Sequence, residues 1–390
     1  MKKIGIVTAT RAEYGLLSPI IKKLNQNPGF DVRVIATGAH LSPEFGLTYR
    51  EIEKDKIEID QKIEILMSSD TPVAISKSMG LAMISFAEYF DRTKPDMLIV
   101  LGDRYETLAV CCAAMNAQIP IAHLYGGETT EGAIDESIRH AITKMSYLHF
   151  TSTEEYRRRV IQLGEVPERV FKVGAMGVEN ILSMELLSKE ELEKSIAFKL
   201  DKPYAVITFH PVTLEKNRVE QQFDALLSAC DAHPEMRFIF TKANSDAHGR
   251  IINQMIDDYA RGNENAIAFE SLGMLRYLSA LKYAQMVIGN SSSGLIEVPS
   301  FHIPTINIGD RQKGRIQGKT VINCAPEKDA ILKAVEQANA PDFRLSIQDA
   351  VNPYGDGQTS DKIIEVITDF LMNDRIDLKK QFYDIEVSNV

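Results

Sequence analysis

Nowhere in its 390 residues does the chain carry a run of about 20 apolar residues, so a membrane-spanning helix is excluded. Its four cysteines, Cys111, Cys112, Cys230 and Cys324, include an adjacent pair but no C-x-x-C spacing. That argues against a zinc site or a disulfide framework and for a reducing, cytoplasmic setting. Positive charge is also short: 44 Lys and Arg stand against 54 Asp and Glu, a formal net charge of −10. A domain-wide basic surface for nucleic acid or an anionic membrane is therefore not expected. A small anionic ligand remains open, because a diphosphate needs only a few local arginines and amides. There is no G-x-G-x-x-G for a nicotinamide cofactor, and His40, His123, His140 and His149 follow no metal-ligand spacing such as H-E-x-x-H. These histidines are read as structural. The N-terminal "MKKIGIVTAT" begins like a signal peptide, but "RAEYG" interrupts it too early for an apolar core and a cleavage site. It reads as a first strand.

What is present is an alternation. "KIGIVTAT", "DVRVIATG", "DMLIVLGD", "IPIAHLYGG" and "YLHFTST" are strand-length apolar runs separated by helical patterns, the first of them beginning near Leu16. Near-continuous apolar strands alternating with helices predict a parallel sheet covered on both faces. A charged, helix-leaning stretch beginning "GAMGVENILS" interrupts the pattern. It then restarts with "YAVITFH", "RFIFTKAN", "NAIAFESL", "AQMVIGN" and "IPTINIGD". The expectation is an α/β protein of two doubly wound Rossmann-like domains, residues 1–175 plus 360–390 and residues 176–359, with a last helix over 359–372 and an exposed tail.

In such sheets ligands bind beyond the carboxyl ends of the strands. Those ends deliver Arg11 and Glu13, His40, Asp103 and Arg104, and Glu128 in the first domain. The second delivers His210, Asn244 and Asp246, the serine turn of "IGNSSSGLIE", and Asp310 and Arg311. Each has a bland alternative. Small polar residues at a strand–helix seam are helix caps, and Glu128, Glu131, Asp135 and Glu136 sit where a helix dipole favours acids. For Glu131 and Glu136 the bland reading is kept. For the others, joint placement after strands of two domains points to a cleft between them.

"TATRAEYG", "LGDRYE", "GGETTEGAIDESIRHAITK", "FHPVT", "IGNSSSGLIE" and "INIGDRQKGR", in this order, resemble the hydrolysing UDP-N-acetylglucosamine 2-epimerases of the sialic-acid-pathway branch. The resemblance spans essentially the whole chain. It implies a fold of the GT-B-like kind, a C-terminal helix crossing back to the first domain, and usually a homodimer. The implied reaction converts UDP-N-acetylglucosamine and water to N-acetylmannosamine and UDP, by elimination to a 2-acetamidoglucal and hydration, with neither metal nor cofactor. By matching motif, Asp103, Glu128, Asp135 and His210 are its proton-transfer groups. Arg11, Arg104, Asn244, Ser291, Ser292 and Arg311 bind the UDP-sugar, and Glu297 resembles a ribose-binding carboxylate. The serine turn would then be both cap and diphosphate cradle. One departure concerns Tyr125: "HLYGGE" stands where many relatives read "HIEGGE", so a usual catalytic glutamate is replaced.

Three alternatives stay open. Within the family, the substrate could be UDP-N,N′-diacetylbacillosamine, which differs at C4 and C6 of the sugar. Outside it stand a two-domain UDP-sugar glycosyltransferase, which does not need the first domain's acids, and a nucleotide-sugar sensor without catalysis.

Overall fold

The computed structural model describes residues 1–385 apart from 68, 70, 130–133, 212–218 and 244–248. Asn244 and Asp246, and with them Glu131, lie outside the described residues. The chain forms two units, the first comprising residues 1–129, Ala133–Asn180 and everything from Tyr354, the second Ile181–Pro353. The first crossing falls inside the helix Met176–Ser183 rather than at its start. Glu179 of that helix explains why: its carboxylate accepts hydrogen bonds from Ser360 N at 2.6 Å and Lys23 Nζ at 3.1 Å, both in the first unit.

The first unit holds a seven-stranded parallel sheet: β1 (Lys2–Thr8), β2 (Phe30–Thr37), β3 (Ile59–Ile63), β4 (Met97–Leu101), β5 (Ile121–Leu124), β6 (Leu148–Thr151) and β7 (Val170–Lys172). Their order is β3-β2-β1-β4-β5-β6-β7, with Ile4 beside Met97 and Ile6 beside Ile99. The second unit holds a six-stranded sheet, β8 (Tyr204–Thr208), β9 (Arg237–Thr241), β10 (Ala266–Phe269), β11 (Met286–Gly289), β12 (Thr305–Ile308) and β13 (Val321–Cys324), ordered β10-β9-β8-β11-β12-β13. Strands such as β4 (MLIVL) and β8 (YAVIT) are buried at every residue. That is why they read as continuous apolar runs rather than alternating ones: helices cover both faces of a parallel sheet.

In each sheet the strand order reverses once, between β1 and β4 and between β8 and β11. At such a switch point the two following loops diverge to opposite faces and leave a crevice at the carboxyl edge. Following these strands come Arg11 and Glu13 in a first helical turn and Asp103 and Arg104 in a loop of one unit, and His210, Asn290, Ser291 and Ser292 in loops of the other.

The C-terminal helix Thr359–Met372 belongs to the first unit, as the resemblance implies. Its Ile363, Ile367 and Phe370 share a core with Leu17, Ile20 and Leu24 of the helix Arg11–Gln26. The tail after it is more tied down than its polar composition suggests. Lys380 Nζ reaches the buried carboxylate of Glu165 at 2.7 Å and the carbonyls of Lys144 and Ser146 at 2.9 and 2.7 Å. A carboxylate with no solvent contact needs cations, and the tail brings one. On the long helix Pro72–Thr93, Val73, Leu81 and Ile84 form an exposed apolar stripe that composition alone did not reveal. No described helix is long and apolar enough to cross a membrane.

Candidate functional site

At the end of β1, "TRAE" works as a capping box and starts the helix at Arg11, five positions before Leu16. Thr10 Oγ1 accepts from Glu13 N at 3.2 Å, and the Glu13 carboxylate reaches back to Ala9 N at 2.6 Å. This is the reciprocal S/T-x-x-E pattern, displaced by one residue on its return arm. Arg11, the first helical residue, is exposed and 3.9 Å from Glu51. Arg104, after β4, is drawn inward: its Nε and Nη2 donate to Glu106 at 3.2 and 2.9 Å, and Glu106 is 1% exposed. The Arg104 Nε also lies 3.8 Å from Glu13 Oε1. Two buried carboxylates thus share one guanidinium across the switch point.

Glu13 Oε1 has no hydrogen-bond partner, and burial pushes the Glu13 carboxyl up from 4.5 to about 7, against the Ala9 amide and Arg104, which lower it. A carboxyl raised in the fold stabilises the folded state below its unfolded value, and that contribution is lost as pH rises through the folded one. Unfolding measured in denaturant should therefore show the wild type losing about 3 kcal/mol between pH 4.5 and 8 relative to Glu13→Gln, which cannot ionise. Parallel stability–pH curves for the two proteins would mean that Glu13 is ionised throughout.

The acids beyond β4 and β5 converge on a residue the motifs did not single out. Arg139, 2% exposed on the helix Asp135–Met145, forms an ion pair with Asp103 and donates to Glu136 at 2.6 Å and to the Glu128 carbonyl at 2.8 Å. One buried cation therefore fixes the β4 loop, the β5 loop and the helix start together. The sequence signal was there: Arg139 lies on the same helical face as buried Ile138 and Ile142, where a charge is costly unless paired. The Glu128 side chain is buried, with Oε1 accepting from Ser152 Oγ at 3.0 Å. It lies in the loop, not in the helix that begins at Asp135, so the helix-start reading of Glu128 does not hold. Asp135 opens that helix and is partly exposed. Glu136 accepts from Thr129 Oγ1 and faces His140, each at 3.2 Å.

Tyr125 sits at φ +69°, a left-handed conformation that costs a bulky residue energy. Its hydroxyl accepts a hydrogen bond from Met176 N at 2.8 Å, at the start of the next helix. Gly127, at φ +77°, can be nothing else, since a Cβ there would lie 2.4 Å from the Tyr156 carbonyl. His123 lies beneath, bonded to the Gly102 carbonyl at 2.8 Å, and burial lowers it to about 3. His40 bridges Thr8 and Thr48, and burial lowers it to about 4. Both are neutral packing histidines.

In the second unit Asn290 is the organiser. Its side chain grips the His210 backbone from both sides, accepting from His210 N and donating to His210 O, each at 2.7 Å. Its carbonyl accepts from Arg311 Nη1 at 3.0 Å and Gln312 Nε2 at 2.8 Å. Gly289 before it packs so tightly that a Cβ would lie 1.9 Å from the Thr208 carbonyl. The loops after β8, β11 and β12 are therefore locked together through one asparagine. The His210 ring is 7% exposed with Nδ1 unpartnered, and burial, reinforced by the Arg311 charge, lowers it to about 4. At neutral pH it is therefore an uncharged imidazole.

The serine turn differs from a simple cap. Ser292 precedes the helix Ser293–Ile296 but has helical φ and ψ of −60° and −26° and makes no side-chain capping bond. A cap residue needs an extended backbone for its oxygen to reach the next amides. Ser291 Oγ instead accepts from Ser293 N at 3.4 Å, and Tyr277 donates to Ser293 Oγ at 2.8 Å. With only four helical residues, the macrodipole there is small, and the Arg311 guanidinium is bonded to the same loop through the Asn290 carbonyl. Glu297 ends that helix, partly buried. Among the described residues, no three His, Cys, Asp or Glu side chains gather into a metal-binding set.

The first unit thus presents Arg139 bound to the Asp103 and Glu136 carboxylates and to the Glu128 carbonyl. The second presents a neutral histidine, an arginine and small hydroxyls.

Residues 22–368 match the family model described as UDP-N-acetylglucosamine 2-epimerase. A "GDP/UDP-N,N'-diacetylbacillosamine 2-epimerase (hydrolyzing)" of Campylobacter jejuni is 44% identical over 98% of this chain and 99% of its own. "Polysialic acid biosynthesis protein P7" of Escherichia coli is 41% identical over 99% and 98%. A "UDP-N,N'-diacetylbacillosamine 2-epimerase (hydrolyzing)" of Legionella pneumophila is 34% identical over 96% and 98%. Among solved structures, a putative UDP-N-acetylglucosamine 2-epimerase from Listeria monocytogenes superposes with a TM-score of 0.82 over 97% of this chain and 99% of that one, at 19% identity.

Proposed function

Because the chain belongs to the UDP-N-acetylglucosamine 2-epimerase family, we propose that it is a hydrolysing 2-epimerase whose substrate is UDP-N,N′-diacetylbacillosamine. The observation that carries the substrate is identity. The full-length relative at 44% is named for the GDP or UDP form of that sugar and the one at 34% for the UDP form, whereas UDP-N-acetylglucosamine, the first expectation from the motifs, is the family's general description. UDP-N-acetylglucosamine stays as the second reading, favoured by the 41% relative named for polysialic acid biosynthesis.

In the proposed reaction the C2 proton passes to a base while the C1–O bond breaks, its electron pair leaving with UDP. The resulting 2-acetamidoglycal adds water, hydroxyl to C1 and a proton to the opposite face of C2. Asp103, Glu128 and Asp135 in the first unit and His210 in the second are the proton-transfer groups. Arg139 positions Asp103 and the Glu128 loop. Arg311, with Ser291 and Ser292, takes the charge that develops on the leaving diphosphate. Arg11 joins them, and Glu297 takes the ribose hydroxyls. Arg104, already bidentate on Glu106, contributes field more than direct contact. Asn244 keeps the substrate-binding role that the motif implies for it.

Initial rates of UDP release from the two UDP-sugars, side by side, test the substrate. The expected result is a kcat/KM higher by at least about tenfold for UDP-N,N′-diacetylbacillosamine, the scale of one hydrogen bond used for discrimination. A preference for UDP-N-acetylglucosamine would return the first reading.

A further inference from the structure

The second unit contains a cavity of about 550 Å³ at the carboxyl edge of its sheet, within the range of small-molecule sites. Phe209, Gln222, Asn290, Asn307, Gln317 and Asn323 contribute to its wall. Five of these six are side-chain amides or, in one case, the organiser Asn290 itself. Among the described residues on the wall, the charged ones are Asp310 and Lys313, of opposite sign. A neutral ligand fits such a wall, and an anion does not.

The amides form a chain with one end unmet. Asn307 Nδ2 donates to Asn323 Oδ1 at 2.8 Å, and Asn323 and Gln317 bond reciprocally at 2.7 and 3.2 Å. Asn307 itself is 3% exposed, and its Oδ1 has no hydrogen-bond partner among the described residues. A buried amide oxygen without a donor is uncommon and calls for one from outside. Phe209 and Cys324 supply apolar wall beside it. The complement is a group that offers an N–H to Asn307 Oδ1 and an apolar end to Phe209 and Cys324, which the N–H and methyl of an acetamido group supply.

Resting on the substrate reading above, we propose that this cavity receives the C4–C6 edge of the sugar and that Asn307 selects its C4 acetamido group. The cavity borders Asn290, whose carbonyl holds Arg311, so it adjoins the diphosphate site. The C1–C2 edge is the one that reacts, which leaves the C4–C6 edge for this wall. UDP-N-acetylglucosamine carries only a hydroxyl at C4, leaving the methyl space empty.

The test compares kcat and KM for both UDP-sugars in wild type, Asn307→Ala and Asn323→Ala, with UDP affinity measured by calorimetry. Asn307→Ala should cut the preference for UDP-N,N′-diacetylbacillosamine by about tenfold or more, through KM, and leave UDP affinity within about twofold. Asn323 is exposed, so its variant folds without difficulty and should shift the preference the same way by a smaller factor. An unchanged substrate ratio in Asn323→Ala and in folded Asn307→Ala overturns the assignment of the cavity. A wild type that does not prefer the diacetamido sugar overturns the substrate reading first, and shows it without any variant.

Discussion

Exchange of the sugar C2 proton in D2O should fall by about 10²-fold or more in Asp103→Asn, Glu128→Gln and Asp135→Asn, the usual scale for losing a general acid or base. Tyr125→Phe should keep exchanging. A phenol has a reference pKa near 10 and is a poor base at neutral pH, and the Tyr125 hydroxyl already serves as acceptor for Met176 N. Removing it leaves that amide short of a partner and should cost about 1–3 kcal/mol of stability, with a smaller effect on turnover. Because Glu128 is buried against Ser152 and its carbonyl is held by Arg139, its side chain is in place before substrate arrives. The comparison has a clear adverse outcome. A dead Tyr125→Phe beside a nearly normal Glu128→Gln would put the tyrosine in the machinery and reduce Glu128 to packing.

The second large effect concerns Arg139. Arg139→Met keeps most of the side-chain volume but leaves Asp103 and Glu136 without their buried cation. Breaking a buried pair from one side typically costs about 3–5 kcal/mol, so denaturant unfolding should show a loss of that order. Turnover should drop with it, because the β4 loop, the β5 loop and the helix start are no longer held in common. Arg139→Lys separates positioning from stability: a single ammonium restores charge but cannot bridge three acceptors on different elements with the guanidinium geometry. It should recover much of the stability and little of the kcat. If Arg139→Lys recovers kcat as fully as stability, the arginine acts only as a counter-ion.

Much of this was legible in the chain. The strands were, because a strand buried on both faces must be apolar throughout, as "MLIVL" and "YAVIT" are. The strand-end residues were, because parallel topology leaves the carboxyl edge as the working edge. The start of the first helix was missed, since "TRAE" was taken for loop although it satisfies the capping pattern. The serine turn was read as a cap, and the helical backbone of Ser292 removes that half of the reading.

The sequence by itself determined a two-sheet parallel α/β protein and the six motifs placed after its strands. These follow from short-range rules: hydrophobic period, turn chemistry and the order of elements along the chain. Only the tertiary structure decided which residues meet. Arg139 joins Asp103, 36 positions away, and Asn290 grips His210 across 80. Partners that far apart in the chain are chosen by strand order, and strand order is set by how the crossovers pack, a property no local pattern contains.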